Sequence, residues 1–159
     1  MAAYEVITGP THWPARYTFS PAVRAGNLLF ISGMTAADES GRIVGPGDIV
    51  AQTRYIFEKM GRLLAAAGGG FEHVVQTTEY VTTTESYAKT AEVRREVFRG
   101  RFPTATGVVV AGLLREGALI EISAIAVLPD PPAGGTAAPL PSGEGRHTTP
   151  PLPSGERAG

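Results

Sequence analysis

The clearest hydrophobic pattern in the chain begins directly after Asp48. Apolar residues then recur every three or four positions, and together with one threonine they form a single stripe on a helix: Ile49, Thr53, Ile56, Phe57, Met60, Leu63 and Leu64. Asp48 is a suitable N-cap, because its side chain can accept hydrogen bonds from the free amides of the first turn. Three consecutive glycines at residues 68–70 predict the end of this helix.

Shorter runs of β-branched and aromatic residues predict strands around this helix. Gly26 and Asn27 indicate a hairpin turn within residues 22–32, and we expect a further strand before it, around residues 16–19. Beyond the first helix, the pattern predicts a strand at 74–82, a helix at 85–99, and strands at 104–111 and 118–127 joined by a turn at 115–117. The predicted order is β-β-β-α-β-α-β-β.

The last two predicted strands carry apolar or small residues on both faces. Val108 and Val110 alternate with Val109, and Ile120 and Ile122 alternate with further apolar or small residues. A sheet with one face in water should alternate apolar and polar residues instead. Because two helices can cover only one face, we infer that a second copy of the chain covers the other, in a homo-oligomer with cyclic symmetry.

The composition changes after Leu128. Residues 130–159 are rich in proline and glycine, and the segment Pro-Leu-Pro-Ser-Gly-Glu occurs at 139–144 and again at 151–156. Such a stretch cannot bury enough apolar surface to offset chain entropy, so we expect it to be disordered. We therefore predict one domain at residues 1–129 and a tail at 130–159. A proline-rich ligand for a partner domain is the alternative role for the tail.

Charge and composition narrow the classes of function. The chain has 14 Lys and Arg against 15 Asp and Glu, which gives no electrostatic reason to expect nucleic acid or an anionic membrane as a partner. The absence of cysteine and the three scattered histidines predict neither a disulfide nor a metal site, and no cofactor is implied. No apolar run is long enough to span a membrane and residues 1–5 do not resemble a signal peptide, so we expect a cytoplasmic protein.

Three segments carry a more specific signal: Ile31-Ser32-Gly33, the stretch that begins at Phe102-Pro103, and Leu119-Ile120-Glu121-Ile122. Their order and spacing, with weaker matches over about residues 18–128, resemble the RidA/YjgF family of reactive-intermediate deaminases. The resemblance implies an α+β fold like that of the small chorismate mutases, with one mixed sheet and two helices on one face. It also implies a homotrimer with three equivalent clefts between subunits.

Glu121 matches the position of a glutamate that, in the family, is thought to position water for attack on an imine carbon. Glu121 also interrupts an otherwise apolar strand, and a buried carboxylate is costly unless it is hydrogen-bonded, paired or protonated. The alternative is a structural glutamate tied to backbone amides where subunits meet. The positions expected around the substrate are Phe19, Ser32, Gly33, Met34, Ala91, Arg94, Ala105, Thr106 and Gly107.

Ala105 is the main departure from the family pattern, because deaminating members carry there an arginine that clamps the substrate carboxylate. Phe19, Ala91 and Gly107 also stand where members of the family carry tyrosine, asparagine and, in some cases, cysteine. Removing one partner of a buried carboxylate–guanidinium pair costs about 2–5 kcal/mol. We therefore expect a larger and more apolar cleft, which suits a bulkier or uncharged ligand.

Two arginines are candidates for a replacement cation. Arg94 lies on the second predicted helix and Arg16 lies shortly before the hairpin; for each, an ordinary surface position is the alternative. Glu79 is either the partner of one of these arginines or a second acid in the cleft. His12 and Trp13 either cap the cleft or, in the case of Trp13, anchor the N-terminal strand.

These observations predict an enzyme whose partner is a small-molecule substrate. We expect it to hydrolyse or tautomerise an enamine, an imine or a related conjugated carbonyl compound, with Glu121 as general base and backbone amides near Gly33 and Thr106 polarising the electrophile. We do not expect a standard 2-imino acid deaminase, since Ala105 replaces the arginine. The alternatives are a non-catalytic ligand-binding or regulatory trimer and an interaction module that uses the tail.

Overall fold

One mixed sheet of six strands and two helices make up residues 3–10 and 13–129, the part of the chain that the computed structural model describes. The strands are β1 (Glu5–Ile7), β2 (Ala22–Ala25), β3 (Leu28–Met34), β4 (Val74–Val81), β5 (Thr104–Val109) and β6 (Ile120–Val127). Their order in the sheet is β1-β2-β3-β6-β4-β5. Neighbouring strands run antiparallel, except that β5 is parallel to β4. This α+β architecture is the one that the sequence predicts.

The first helix, α1 (Ile49–Ala66), begins and ends as predicted. The Asp48 carboxylate accepts hydrogen bonds from the Val50 and Ala51 amides at 2.9 and 3.0 Å. Gly68 has a φ of +82°, a conformation that favours glycine, and it follows the end of the helix. Every member of the predicted apolar stripe is buried, so the helical periodicity identified the core face of α1 correctly.

The second helix, α2 (Thr90–Phe98), is shorter than the pattern predicts. A single 3₁₀ turn at Tyr87–Lys89 precedes it, and the residue before that turn, Ser86, has a φ of 56°. Arg99, at a φ of 49°, ends the helix. Both residues adopt the left-handed conformation, which a continuous helix from 85 to 99 cannot contain.

The prediction of a strand around residues 16–19 is wrong. The first strand is Glu5–Ile7, which pairs with β2, whereas residues 13–21 turn back on themselves. The Tyr17 amide donates to the Pro14 carbonyl at 3.1 Å, and the Trp13 indole N–H donates to the Phe19 carbonyl at 2.8 Å. These local hydrogen bonds occupy backbone groups that a sheet would otherwise use. The number of strands is therefore as predicted, but one of them lies elsewhere.

β5 and β6 follow one another in the chain but are not neighbours in the sheet, because β4 lies between them. A buried glutamine helps to organise the connection from β5 to β6. The Gln52 amide nitrogen donates to the carbonyls of Gly45 and Gly117, both at 3.1 Å, and its side-chain oxygen accepts from the Leu119 amide at 2.8 Å. Gln52 is fully buried on α1, so it links this helix to two loops and to the chain entering β6.

The predicted tail at 130–159 and the residue His12 lie outside the described residues. Within the described part of the chain, neither helix combines the length and the apolar character that crossing a lipid bilayer requires.

The Asp48 cap gives a test of the fold's local energetics. We expect Asp48→Ala to lower the free energy of unfolding by about 1 kcal/mol, because two amides in the first turn of α1 lose their acceptor. Chemical denaturation followed by circular dichroism measures this change. Asp48→Asn is the matched control and should retain most of the stability, since asparagine is also a good N-cap. Equal destabilisation by both variants would contradict a capping role.

Candidate functional site

The sheet has two different faces, and this difference positions the candidate groups. The helix face packs against α1 and α2 and carries the buried residues of β6, namely Ile120, Ile122, Ala124 and Ala126. The open face carries the alternate residues of the same strand, which include Glu121 and Ser123. Tyr80 of β4 is the register partner of Glu121 and therefore shares the open face with it.

Gly33 lies directly beside the Glu121 carboxylate. The register between β3 and β6 shifts between Ile31 and Met34, which makes an irregularity in the ladder at Ser32 and Gly33. A Cβ atom at Gly33 would lie 3.0 Å from the Glu121 carboxyl carbon and closer still to a carboxylate oxygen. Glycine is therefore the residue that leaves room for the carboxylate at this point.

The Glu121 carboxylate lines an open cavity of about 340 Å³ together with Gly33, Tyr80 and Ser123. It has no hydrogen-bond donor among the described residues, although the side chain is half-buried. Desolvation raises the pKa of Glu121 above the ordinary glutamate value. A carboxylate with these properties can accept a proton near neutral pH more readily than an exposed glutamate.

The candidate residues of β5 fall on both faces of the sheet. Ala105 and Gly107 are the register partners of Thr77 and Glu79, which are buried on the helix face. Thr106 is the register partner of Thr78 and faces the open side. All residues of β5 are exposed, because this strand forms one edge of the sheet.

Arg94 is bound by groups of its own chain. Its Nε donates to Glu79 Oε1 at 2.8 Å, its Nη2 pairs with Glu79 Oε2, and its Nη1 donates to Thr90 Oγ1 at 2.6 Å. The Tyr87 hydroxyl also donates to Glu79 Oε2 at 2.8 Å. Glu79 is 1% exposed, and burial of a carboxylate is costly unless partners such as these bind it. Of the two alternatives for Glu79, the structure shows the arginine partner.

The remaining expected site residues lie in separate parts of the single chain. Ala105 and Gly107 lie on the helix-face side of the β5 edge, where a Cβ at Gly107 would meet the Tyr87 hydroxyl at 2.9 Å. Ala91 lies on α2. Gly33 and Glu121 lie on the open face near the middle of the sheet. The cavity that Gly33 and Glu121 line includes no residue of β5.

A second cavity, of about 430 Å³, brings together several of the expected residues. Phe19, Ser32, Gly33 and Met34 line it together with Trp13 and Arg16 of the N-terminal segment. The Ser32 hydroxyl donates to the Ser20 carbonyl at 2.7 Å, which ties β3 to this segment. Gly33 borders both cavities.

Sequence reasoning missed three cations in this second cavity, Lys59, Arg62 and Arg115. The Lys59 ammonium donates to the carbonyls of Thr35 and Ala37 at 2.9 and 2.8 Å. Desolvation, followed by the nearby charges of Arg115 and Arg62, lowers the pKa of Lys59 to about 8. One signal in the sequence could have identified Lys59, because it lies directly beside Met60 of the apolar stripe of α1. Arg115 carries no local signal, because it lies in a loop.

No group of His, Asp or Glu that could hold a metal ion occurs among residues 3–10 and 13–129.

Comparison with known proteins agrees with this architecture. The family described as Endoribonuclease L-PSP matches residues 11–128. The chain is 40% identical over 109 residues to a RutC family protein of Pyrococcus horikoshii, covering 68% of this chain and 85% of that protein. It is 37% identical over 111 residues to protein DfrA of Myxococcus xanthus, covering 70% and 84%.

Solved structures show the same relationship. RidA from the Antarctic bacterium Psychrobacter sp. superposes with a TM-score of 0.68 at 28% identity, covering 80% of this chain and 100% of that one. The Rid family protein YyfA from Yersinia pestis gives a TM-score of 0.70 at 28% identity, covering 79% and 100%. The segments around Gly33, Pro103 and Glu121, the mixed sheet and these similarities have one explanation: the chain belongs to the endoribonuclease L-PSP family, also known as the RidA/YjgF family.

Proposed function

We propose that the protein is a homotrimer that binds a small organic metabolite in clefts between its subunits. Large apolar side chains on the open face support this assembly, because Leu28, Phe30, Val108 and Val127 are all at least 38% exposed in the single chain. The division of the expected site residues supports it too. A cleft between copies would join the β5 edge of one chain to the Glu121 region of another.

The proposed chemistry is proton transfer or water activation by Glu121. The observation that carries this proposal is the half-buried Glu121 carboxylate, which has a raised pKa and no hydrogen-bond donor among the described residues. A carboxylate tied to backbone amides for structural reasons would have its acceptor positions occupied. A free and desolvated one is suited to act as a general base.

The substrate class that we propose is an uncharged or bulky enamine, imine or related conjugated carbonyl compound. Backbone amides near Gly33 and Thr106 would polarise the electrophilic group while Glu121 directs water or moves a proton. Ala105 supplies no cation, and Arg94 is paired with Glu79, so neither of these two positions offers a free guanidinium. Loss of the carboxylate–guanidinium pair costs about 2–5 kcal/mol, which corresponds to roughly 30- to 4,000-fold weaker binding of a small carboxylate.

Replacing the proposed base tests the mechanism. Uncharged ketimines and enaminones serve as probes, with ketone product measured by mass spectrometry. We expect Glu121→Gln to lower kcat about 10²- to 10⁴-fold on a probe that is turned over, because the amide cannot accept the proton. The wild-type rate should rise with pH through a pKa above that of an ordinary glutamate, and this dependence should disappear in the variant.

The matched control is Glu116→Gln, the same change at an exposed position in the loop before β6. It should leave kcat unchanged. Full activity of Glu121→Gln would contradict the mechanism. Thermal stabilisation of the wild-type protein by the probes without any product would instead identify a non-catalytic binding protein.

Hydrolysis of 2-iminopropionate, generated in situ, tests the effect of having Ala105 in place of the substrate-binding arginine. We expect the wild-type rate to be at least about 30-fold below that of a family member that carries arginine at the position of Ala105. Ala105→Arg should raise kcat/KM, whereas Ala105→Gln, which adds bulk without charge, should not. A wild-type rate equal to that of the arginine-bearing protein would contradict the argument.

Molar mass in solution tests the assembly. Light scattering after gel filtration should give three times the 16.6 kDa mass of the chain. Phe30→Glu should dissociate the assembly, because it places a charge on the exposed apolar surface, whereas Phe30→Leu should leave the mass unchanged. A monomeric wild-type protein would contradict the trimer.

A further inference from the structure

The cavity of about 430 Å³ beside Gly33 has features that the proposed chemistry of Glu121 does not use. It lies between the N-terminal segment and α1, and its size falls within the range of cavities that hold small molecules. Loop residues Thr35 and Ala37 and the α1 residues Tyr55 and Lys59 complete its wall. The cavity is thus built from elements remote from the β5 edge.

Three cations of this wall have no carboxylate partner among the described residues: Arg16, Lys59 and Arg115. Lys59 and Arg115 instead donate to backbone carbonyls; the Arg115 contact is to Gly41 at 3.4 Å. The fourth cation, Arg62, pairs with Glu58. The wall therefore has three cations that no ion pair within the described residues neutralises.

The two acids of the wall do not pair with these three cations. Asp38 forms hydrogen bonds within its own loop. One carboxylate oxygen accepts from the Ser40 amide at 2.9 Å and from the Ser40 hydroxyl at 2.7 Å. Its other oxygen accepts from Arg42 Nε at 3.3 Å. Glu39 is exposed to solvent.

Aromatic rings form the other part of the wall. Trp13, Tyr17 and Phe19 pack against one another with centroid distances of 4.9 to 5.4 Å. The Arg16 guanidinium lies 5.1 Å from the centroid of the Tyr17 ring. The neighbouring guanidiniums, first that of Arg16 and then that of Arg115, lower the pKa of the Tyr17 hydroxyl below its ordinary value. Positive charge and flat apolar surface therefore meet at Tyr17.

We propose that this cavity binds an aromatic carboxylate, with the ring against Trp13 and Phe19 and the carboxylate between Arg16, Lys59 and Arg115. Guanidinium groups match the planar carboxylate, and partly desolvated cations gain more from an anion than exposed ones do. The cavity shares Gly33 with the cavity of Glu121, but the Glu121 side chain does not line it. The failure of this proposal and the failure of the proposed chemistry can therefore be told apart.

Trp13 provides a local reporter, because it is the only tryptophan of the chain. Benzoate is the probe, and benzamide, which has a similar shape but no charge, is its matched control. We expect benzoate to change the Trp13 fluorescence in a saturable way, and benzamide to bind at least about tenfold more weakly. Isothermal titration calorimetry measures the same two affinities without relying on the fluorophore.

Substitutions of residues in the cavity wall test which side chains bind the benzoate carboxylate. Arg115→Gln and Arg16→Gln should each weaken benzoate binding about tenfold or more, as expected for loss of a charged hydrogen bond. The Arg115→Lys variant should bind benzoate with intermediate affinity, because lysine keeps the positive charge but lacks the planar guanidinium that donates two hydrogen bonds to one carboxylate. Arg95→Gln is the control, since Arg95 is exposed on α2 and does not line the cavity. Thermal melting verifies that each variant is folded.

Glu121→Gln should bind benzoate as the wild type does, whatever its effect on turnover. Equal binding of benzoate and benzamide would overturn the proposal. So would wild-type affinity in both Arg115→Gln and Arg16→Gln. Inorganic phosphate that binds as tightly as benzoate would overturn the assignment to an aromatic anion.

Discussion

The central position of β6 determines where every candidate group of this protein lies. The strand pairs with β3 on one side and with β4 on the other, so its backbone is held along most of its length. Its alternate side chains, from Ile120 to Ala126, are buried against the helices. Because side chains alternate strictly along a strand, burial of Ile120 and Ile122 obliges Glu121 to face the opposite side. A shift of one residue would place a carboxylate in the core.

The irregularity in β3 makes this arrangement possible. Regular pairing opposite Glu121 would bring a side chain against the carboxylate, and the register shift at Ser32 and Gly33 places a glycine there instead. The same glycine borders the cavity of the N-terminal segment. One backbone irregularity therefore connects the proposed general base, the proposed anion site and the attachment of the N-terminal segment to the sheet.

The distribution of positive charge separates this chain from the arginine-bearing pattern of its family. On the helix face, the only buried carboxylate among the described residues is that of Glu79, and it holds the guanidinium of Arg94. At the β5 edge, Ala105 offers a methyl group. The cavity on the other side of Gly33 instead has three cations without a carboxylate partner among the described residues, namely Arg16, Lys59 and Arg115. An anionic group would find its partners there, whereas the Glu121 cavity is suited to an uncharged reacting group.

Local patterns in the sequence determined much of this structure. The stripe and cap of α1, the hairpin at Gly26 and Asn27, and the strand β4 all follow from periodicity and turn chemistry, which act within a few residues. The position of Glu121 within an apolar strand was also readable, as was the family. The position of the first strand was not, because local hydrogen bonds of Trp13 and Tyr17 compete with a sheet in a way that propensity does not show.

Only the tertiary structure decided how distant residues meet. It placed β4 between the last two strands, paired Arg94 with Glu79, and used Gln52 to join α1 to two loops. It also brought Lys59 and Arg115 toward Tyr17, although these residues belong to three separate parts of the chain. The physical reason is that a sequence pattern reports which side chains prefer burial. Which charged group then faces which other depends on strand order and packing, and these are set by long-range contacts.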